Sequence, residues 1–220
     1  MHSNVCPQIG NTLVLIMGAC GTGKSTLTRI ICGAGGLEHT AEFDCYDRRS
    51  LTCTQERVRF VVGPRGIAIA GNWKNTSDAI SKPEALRKVV DLCFGLAPTV
   101  IVVSFRPSNK FVDWVQQHPS PALRVAFVYL DITLETNIVR LLGRRAANGR
   151  IETGLPDKTY TTLLRTRDRA KAVWKYAQQN YLREPNAFVT VPEQFTPEQS
   201  ADLVLKEISH LWTASSGLAA

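Results

Sequence analysis

Residues 12–17 form a continuous apolar run of strand length, and Gly18-Ala-Cys-Gly-Thr-Gly-Lys-Ser25 follows it directly. The stretch from Thr26 to Cys32 then has the composition of a helix. Strand, glycine-rich loop and helix in this order constrain the fold more than anything else in the chain. Glycines let the backbone curl so that successive N–H groups converge on an anion, and the new helix aims its positive end at the same point. Gly18, Ala19, Cys20, Gly21, Thr22, Gly23, Lys24, Ser25 and Thr26 are therefore expected to cradle the phosphates of a nucleotide. Lys24 is placed to reach the β- and γ-phosphates, and Ser25 to offer a hydroxyl to the Mg²⁺ that bridges them. ATP and Mg²⁺ are the expected cofactors. Cys20 reads as a space-filling residue and not a nucleophile, because the loop is turned toward an anion.

The alternation continues along the chain. Arg57–Val62 and Ile67–Ala70 read as two strands about a tight turn at Gly63–Gly66. Ser81-Lys-Pro-Glu84 has capping-box spacing and opens a helix through Phe94, after which Thr99–Val103 is apolar and β-branched. Phe111–Gln117 suits a short helix, Leu123–Leu130 a strand ending at Asp131, and Thr133–Ala147 a helix with an arginine-rich polar face. Gly149–Asp157 interrupts the pattern before a polar helix from Lys158 to Tyr181, a strand at Ala187–Val191, and a helix capped by Thr196-Pro-Glu-Gln199 that runs through Trp212. This predicts an α/β sandwich with a mostly parallel sheet, one domain over 1–220, with a mobile arginine-rich lid at about 140–157.

At 44% hydrophobic and 20% charged, 220 residues can bury one core, which excludes disorder as the main state. No uncharged apolar run reaches the roughly 18 residues of a membrane span, so a cytoplasmic chain with no membrane partner is expected. Six cysteines without a C-x-x-C pair give no disulfide or zinc framework. Charge is more informative: from Arg140 to Lys175 there are ten basic residues against three acids, Glu152, Asp157 and Asp168. That local excess of seven equals the whole chain's +7. Such concentration points to a surface that meets phosphates, of a nucleotide or of a nucleic acid, although a solvated helix face produces the same count.

A phosphate loop alone does not separate transfer to a substrate from hydrolysis that drives motion. Hydrolytic motors keep an acid at the end of a hydrophobic strand, and here Val102-Val-Ser-Phe105 places Ser104 there. A kinase is the better reading. A hydroxyl acceptor needs a carboxylate to take its proton, and two regions offer one. Asp44 follows the first helix, where the tip of a second strand would face the loop. Asp78 ends a polar segment in which Trp73 has the ring to stack on a nucleobase, Asn72 the amide to read its edge, and Lys74 the charge to meet a phosphate.

These motifs resemble the small P-loop kinases of nucleosides, nucleotides, shikimate and gluconate. The resemblance implies that Arg140, Arg144 and Arg145, after Val128-Tyr-Leu-Asp131 and Glu135, close over the phosphates as lid arginines. Arg145 is then a catalytic candidate beside Lys24. The Gly71-Asn-Trp-Lys74 and Ser77-Asp-Ala-Ile80 stretches are also similar to bacteriophage kinases that phosphorylate 5-hydroxymethyluracil in DNA. That likeness implies DNA with a modified base as partner and a place in the host cytoplasm. Three activities stay open: transfer to such a base, transfer to a small molecule such as a nucleoside monophosphate or a sugar acid, and a slow nucleotide-dependent switch.

Overall fold

The computed structural model describes residues 11–33, 35–47, 52–71, 80, 83–104, 108–120 and 122–213. Seven strands form one sheet: β1 (Thr12–Met17), β2 (Leu37–Asp47), β3 (Thr52–Val62), β4 (Ile67–Ala70), β5 (Thr99–Ser104), β6 (Arg124–Asp131) and β7 (Asn186–Pro192), in the order β2-β3-β4-β5-β1-β6-β7. β4, β5, β1, β6 and β7 are mutually parallel. β3 runs against both its neighbours. The helices are α1 (Lys24–Cys32), α2 (Pro83–Phe94), α3 (Asn109–Gln116), α4 (Leu134–Ala147), α5 (Asp157–Asn180) and α6 (Pro197–Thr213).

The central strands are buried on both faces, as continuous apolar runs such as β1 require. Leu13, Leu15 and Met17 face α2, α3 and α5, while Val14 and Ile16 face α1 and α6. Aromatic residues fill the first of these layers, with Phe127 stacked on Phe188 at 5.0 Å between ring centroids and Tyr129 on Trp174 at 5.6 Å. The predicted capping box at Thr196 forms: Thr196 N–H donates to Gln199 Oε1 at 2.9 Å and Gln199 N–H to Thr196 Oγ1 at 3.2 Å. Ser81, its expected counterpart before α2, lies outside the described residues; Glu84 accepts from the Tyr46 N–H at 3.2 Å and pairs with Lys88. Among the described residues no helix is long and apolar enough to cross a membrane.

Two features position the site. The chain leaves β1 for strands on one side and returns to β6 on the other, so β1 lies at the point where the strand order reverses. In open parallel sheets that reversal leaves a crevice at the carboxyl ends of the strands. The second feature is a two-stranded arm. β2 and β3 pair over eleven residues, but β3 meets β4 only at Val61 and Val62 among the described residues. The remaining nine pairs carry the arm past the carboxyl end of β4.

Candidate phosphate-binding site

The Gly18–Ser25 loop turns from the carboxyl end of β1 into α1, which begins at Lys24. Gly23 caps the helix with φ 93° and Gly21 sits at φ 78°, both in the left-handed region where a side chain is costly. Gly21 has a second reason to lack a Cβ, which would lie 3.0 Å from Leu141 Cγ of α4. Within the loop Thr22 Oγ1 donates to the Ala19 carbonyl at 3.0 Å. The Lys24 ammonium is buried and donates to the carbonyls of Gly18, at 2.9 Å, and Ala19, at 2.6 Å. The first turn of α1 holds no acid, so no carboxylate of the helix itself offsets its positive end.

Beside the loop lies a cavity of about 970 Å³. The loop and the start of α1, from Cys20 to Leu27, form its floor. α4 contributes Arg140, Leu141 and Arg144, and α5 contributes Lys158, Thr159 and Thr162. Leu130, Ile132, Val191, Pro192, Phe195 and Pro197 make an apolar end. Lys24, Arg140, Arg144 and Lys158 are among its lining residues, and among the described residues no aspartate or glutamate lines it. The arrangement suits a ligand with an apolar portion and several negative charges. Ser25 and Thr26 bring hydroxyls to the same floor. Among the described residues no group of three His, Cys, Asp or Glu side chains is placed to hold a metal ion. The Ser25 and Thr26 hydroxyls fit Mg²⁺, which dehydrates reluctantly and is commonly held by phosphates, water and one or two protein oxygens. Ser25 would be the protein's contribution.

The sequence-predicted residues divide. Cys20 to Thr26, Arg140 and Arg144 converge on the cavity, with Arg140 Nη1 donating to the Thr22 carbonyl at 3.3 Å, while Gly18 and Ala19 do not line it and accept from Lys24. Arg145 does not join them: its guanidinium forms a two-pronged pair with Glu152, Nη2 to Oε1 at 2.6 Å. Residues three and four apart share a helix face, so Asn137, Arg140, Leu141 and Arg144 point together toward the loop. The Arg145 pair holds the Glu152 carboxyl below its usual range. Asp44 sits in β2, four strands from β1, a lateral distance of about 19 Å at the usual 4.7–4.9 Å spacing. Its side chain is exposed and its carbonyl accepts from Lys88 at 2.6 Å. Asn72, Trp73, Lys74 and Asp78 lie outside the described residues; their segment leaves the carboxyl end of β4, two strands from β1. Ser104 ends β5 in register with Met17. Lys158 is the cation the sequence reading did not single out. The available signal was its position one turn before Thr162, at the start of a helix that follows the glycine- and proline-bounded break.

No protein-family profile matches the chain, and no curated protein matches it. Among solved structures it is similar to a gluconokinase from Sinorhizobium meliloti 1021, with 16% sequence identity, a TM-score of 0.49, and coverage of 96% of this chain and 99% of that one.

Proposed function

We propose that the protein is an ATP-dependent phosphotransferase that moves the γ-phosphate to a hydroxyl group. The observation that carries this reading is a complete Gly-x-x-x-x-Gly-Lys-Ser loop beside a cavity whose described lining residues include four cations and no acid. The apolar end around Val191, Pro192, Phe195 and Pro197 receives the nucleobase, and the loop receives the β- and γ-phosphates. On binding, the Lys24 ammonium exchanges its two carbonyl partners for phosphate oxygens. Arg140, Arg144 and Lys158 meet the charge that spreads over the phosphoryl group as it transfers. Mg²⁺ supplies further neutralisation of the β- and γ-oxygens. In this reading the segment 140–157 is a lid, and Asp78 is the base that takes the acceptor's proton.

The acceptor we favour is a small hydroxyl compound, a nucleoside monophosphate or a sugar acid, because the cavity is sized for a nucleotide and a second small molecule. A second acceptor, the hydroxymethyl group of 5-hydroxymethyluracil in DNA, is favoured by a separate observation. Arg150, Arg165, Lys171 and Lys175 are exposed on the α4–α5 region and do not line the cavity, so charge remains there for a polyanion. The test is incubation with γ-labelled ATP and Mg²⁺ against three acceptor sets: a panel of small hydroxyl compounds, DNA containing 5-hydroxymethyluracil, and matched thymine DNA. Label on a small compound supports the first acceptor, and label on modified DNA alone supports the second. ADP formed at the same slow rate with every set would replace transfer by a nucleotide-dependent switch.

A further inference from the structure

Glu193 stands in the turn between β7 and α6, and its carboxylate reaches across to the first turn of α4. It accepts from the Thr133 N–H at 3.0 Å, from Thr133 Oγ1 at 2.9 Å and from Thr136 Oγ1. Thr133 is the N-cap of α4, so a carboxylate from a distant turn satisfies the end of a helix whose dipole favours negative charge there. Glu193 does not line the cavity, but Pro192 and Phe195 on either side of it do.

α4 has few other anchors. Asn137 is its one buried residue, and among the described residues neither amide atom of that side chain has a hydrogen-bond partner. Contact with the phosphate loop is made by Leu141 against Gly21 and by Arg140 on the Thr22 carbonyl. Release of its first turn would leave α4 held chiefly by these contacts and by the Arg145–Glu152 pair near its end, so a change at Glu193 would be passed to Arg140 and Arg144.

We propose that Glu193 is a positioning residue: through its three bonds to α4 it sets Arg140 and Arg144 against the phosphates, and it ties their pose to the wall that receives the base. This rests on the cavity being a nucleotide site. Catalysis and binding by guanidinium groups depend on placement, so a residue that touches no ligand controls affinity through those that do.

The experiment is a double-mutant cycle read by calorimetric binding of ATP with Mg²⁺, using wild type, Glu193→Gln, Arg140→Ala, the double variant and Lys24→Ala. Glutamine keeps the size but can no longer accept on both terminal atoms. If Glu193 acts through Arg140 and Arg144, each single change weakens ATP by about 10-fold and the double variant loses clearly less than the product of the two, the excess over either single being the share that runs through Arg144. Losses that multiply to about 100-fold overturn the proposal, as does wild-type affinity in Glu193→Gln or Arg140→Ala. A general loss of structure would add to the effect of Arg140→Ala, so the non-additivity is specific to the proposed role. Should Glu193→Gln fail to fold, Thr136→Val removes one donor, keeps the carboxylate, and enters the same cycle with the same expected non-additivity. Lys24→Ala separates the two levels of the argument. Loss of binding there with an additive Glu193–Arg140 cycle sinks this inference alone. No loss there, or no ATP binding by wild type, sinks the nucleotide site and this inference with it.

Discussion

The Lys24 ammonium donates to the Ala19 carbonyl oxygen at 2.6 Å, so the loop's lysine is held by the loop's own backbone. The interaction fixes Lys24 at the cavity floor before any phosphate arrives. Lys24→Ala is expected to lower phosphoryl transfer by at least about 100-fold and to abolish the rise in melting temperature that ATP gives the wild type. Thermal unfolding with and without nucleotide checks this, and an undiminished ATP-induced shift would refute the phosphate site.

Arg144 and Arg145 are adjacent in sequence and differ in surroundings: the first faces the cavity and the second is engaged by Glu152. Arg144→Ala is expected to reduce kcat by about 10-fold or more, as the loss of a transition-state contact does. Arg145→Ala and Glu152→Gln should resemble each other, and their combination should equal either alone. Their shared effect should fall on protease sensitivity of the 148–156 connection and leave kcat close to wild type. A kcat loss in Arg145→Ala greater than that in Arg144→Ala would restore Arg145 to the phosphates.

Residues 12–32 carried their own structure, because a two-sided buried strand, a glycine loop and a helix are each written in local composition. The β2–β3 arm was only half legible. Phe43 to Asp47 reads as a strand tip, yet β2 begins at Leu37 and β3 at Thr52. Beyond β4 the arm packs Ala41, Phe43 and Cys45 on one side and shows solvent on the other, so charged residues such as Arg57 and Glu42 fill alternate positions and blur the pattern. The pairing of Arg145 with Glu152 was not legible for a different reason. Three arginines within six residues share a composition, and only helix phase and the partner at Glu152 distinguish them. Lys158 was hidden because its role comes from where α5 starts relative to a loop more than a hundred residues earlier in the chain.

Acid stability should report two carboxylates. Glu152 is held below its ordinary value of 4.5 by hydrogen bonding to Arg145. Glu193 is lowered by its hydrogen bonds to Thr136 and to the Thr133 backbone, with a smaller contribution from the charge of Arg140. A carboxylate whose pKa is lower folded than unfolded stabilises fully above its unfolded value, and that stabilisation is lost as pH falls through the folded value. The stability difference between wild type and Glu193→Gln or Glu152→Gln is therefore expected to be constant near neutrality and to shrink as pH drops below about 4.5. Urea unfolding from pH 7 to pH 3 measures it, and a difference that widens on acidification would show that these carboxylates are not depressed in the fold.

Gly63 links the sheet to the helix that begins at the phosphate loop. A Cβ there would lie 2.3 Å from Cys32 Sγ, 2.7 Å from the Cys32 carbonyl oxygen and 3.2 Å from the Ile67 carbonyl oxygen. Cys32 ends α1, and its thiol donates to Ile67 O at 3.4 Å, so the added methyl would drive into the seam between α1 and the β3–β4 turn. Neither neighbour is the free end of a flexible chain. Gly63→Ala is expected to destabilise the protein by about 2 kcal/mol or more, at the upper part of the range for an overfilled core. Displacement of α1 should also weaken ATP binding, although Gly63 does not line the cavity. Adding Cys32→Ala removes the sulfur but leaves the carbonyl oxygen at 2.7 Å, so recovery should be partial in both stability and affinity. Denaturant unfolding and ATP titration on the two variants decide it: a Gly63→Ala protein with wild-type stability would mean that α1 is free to shift from the sheet, and that the loop's pose is not fixed from below.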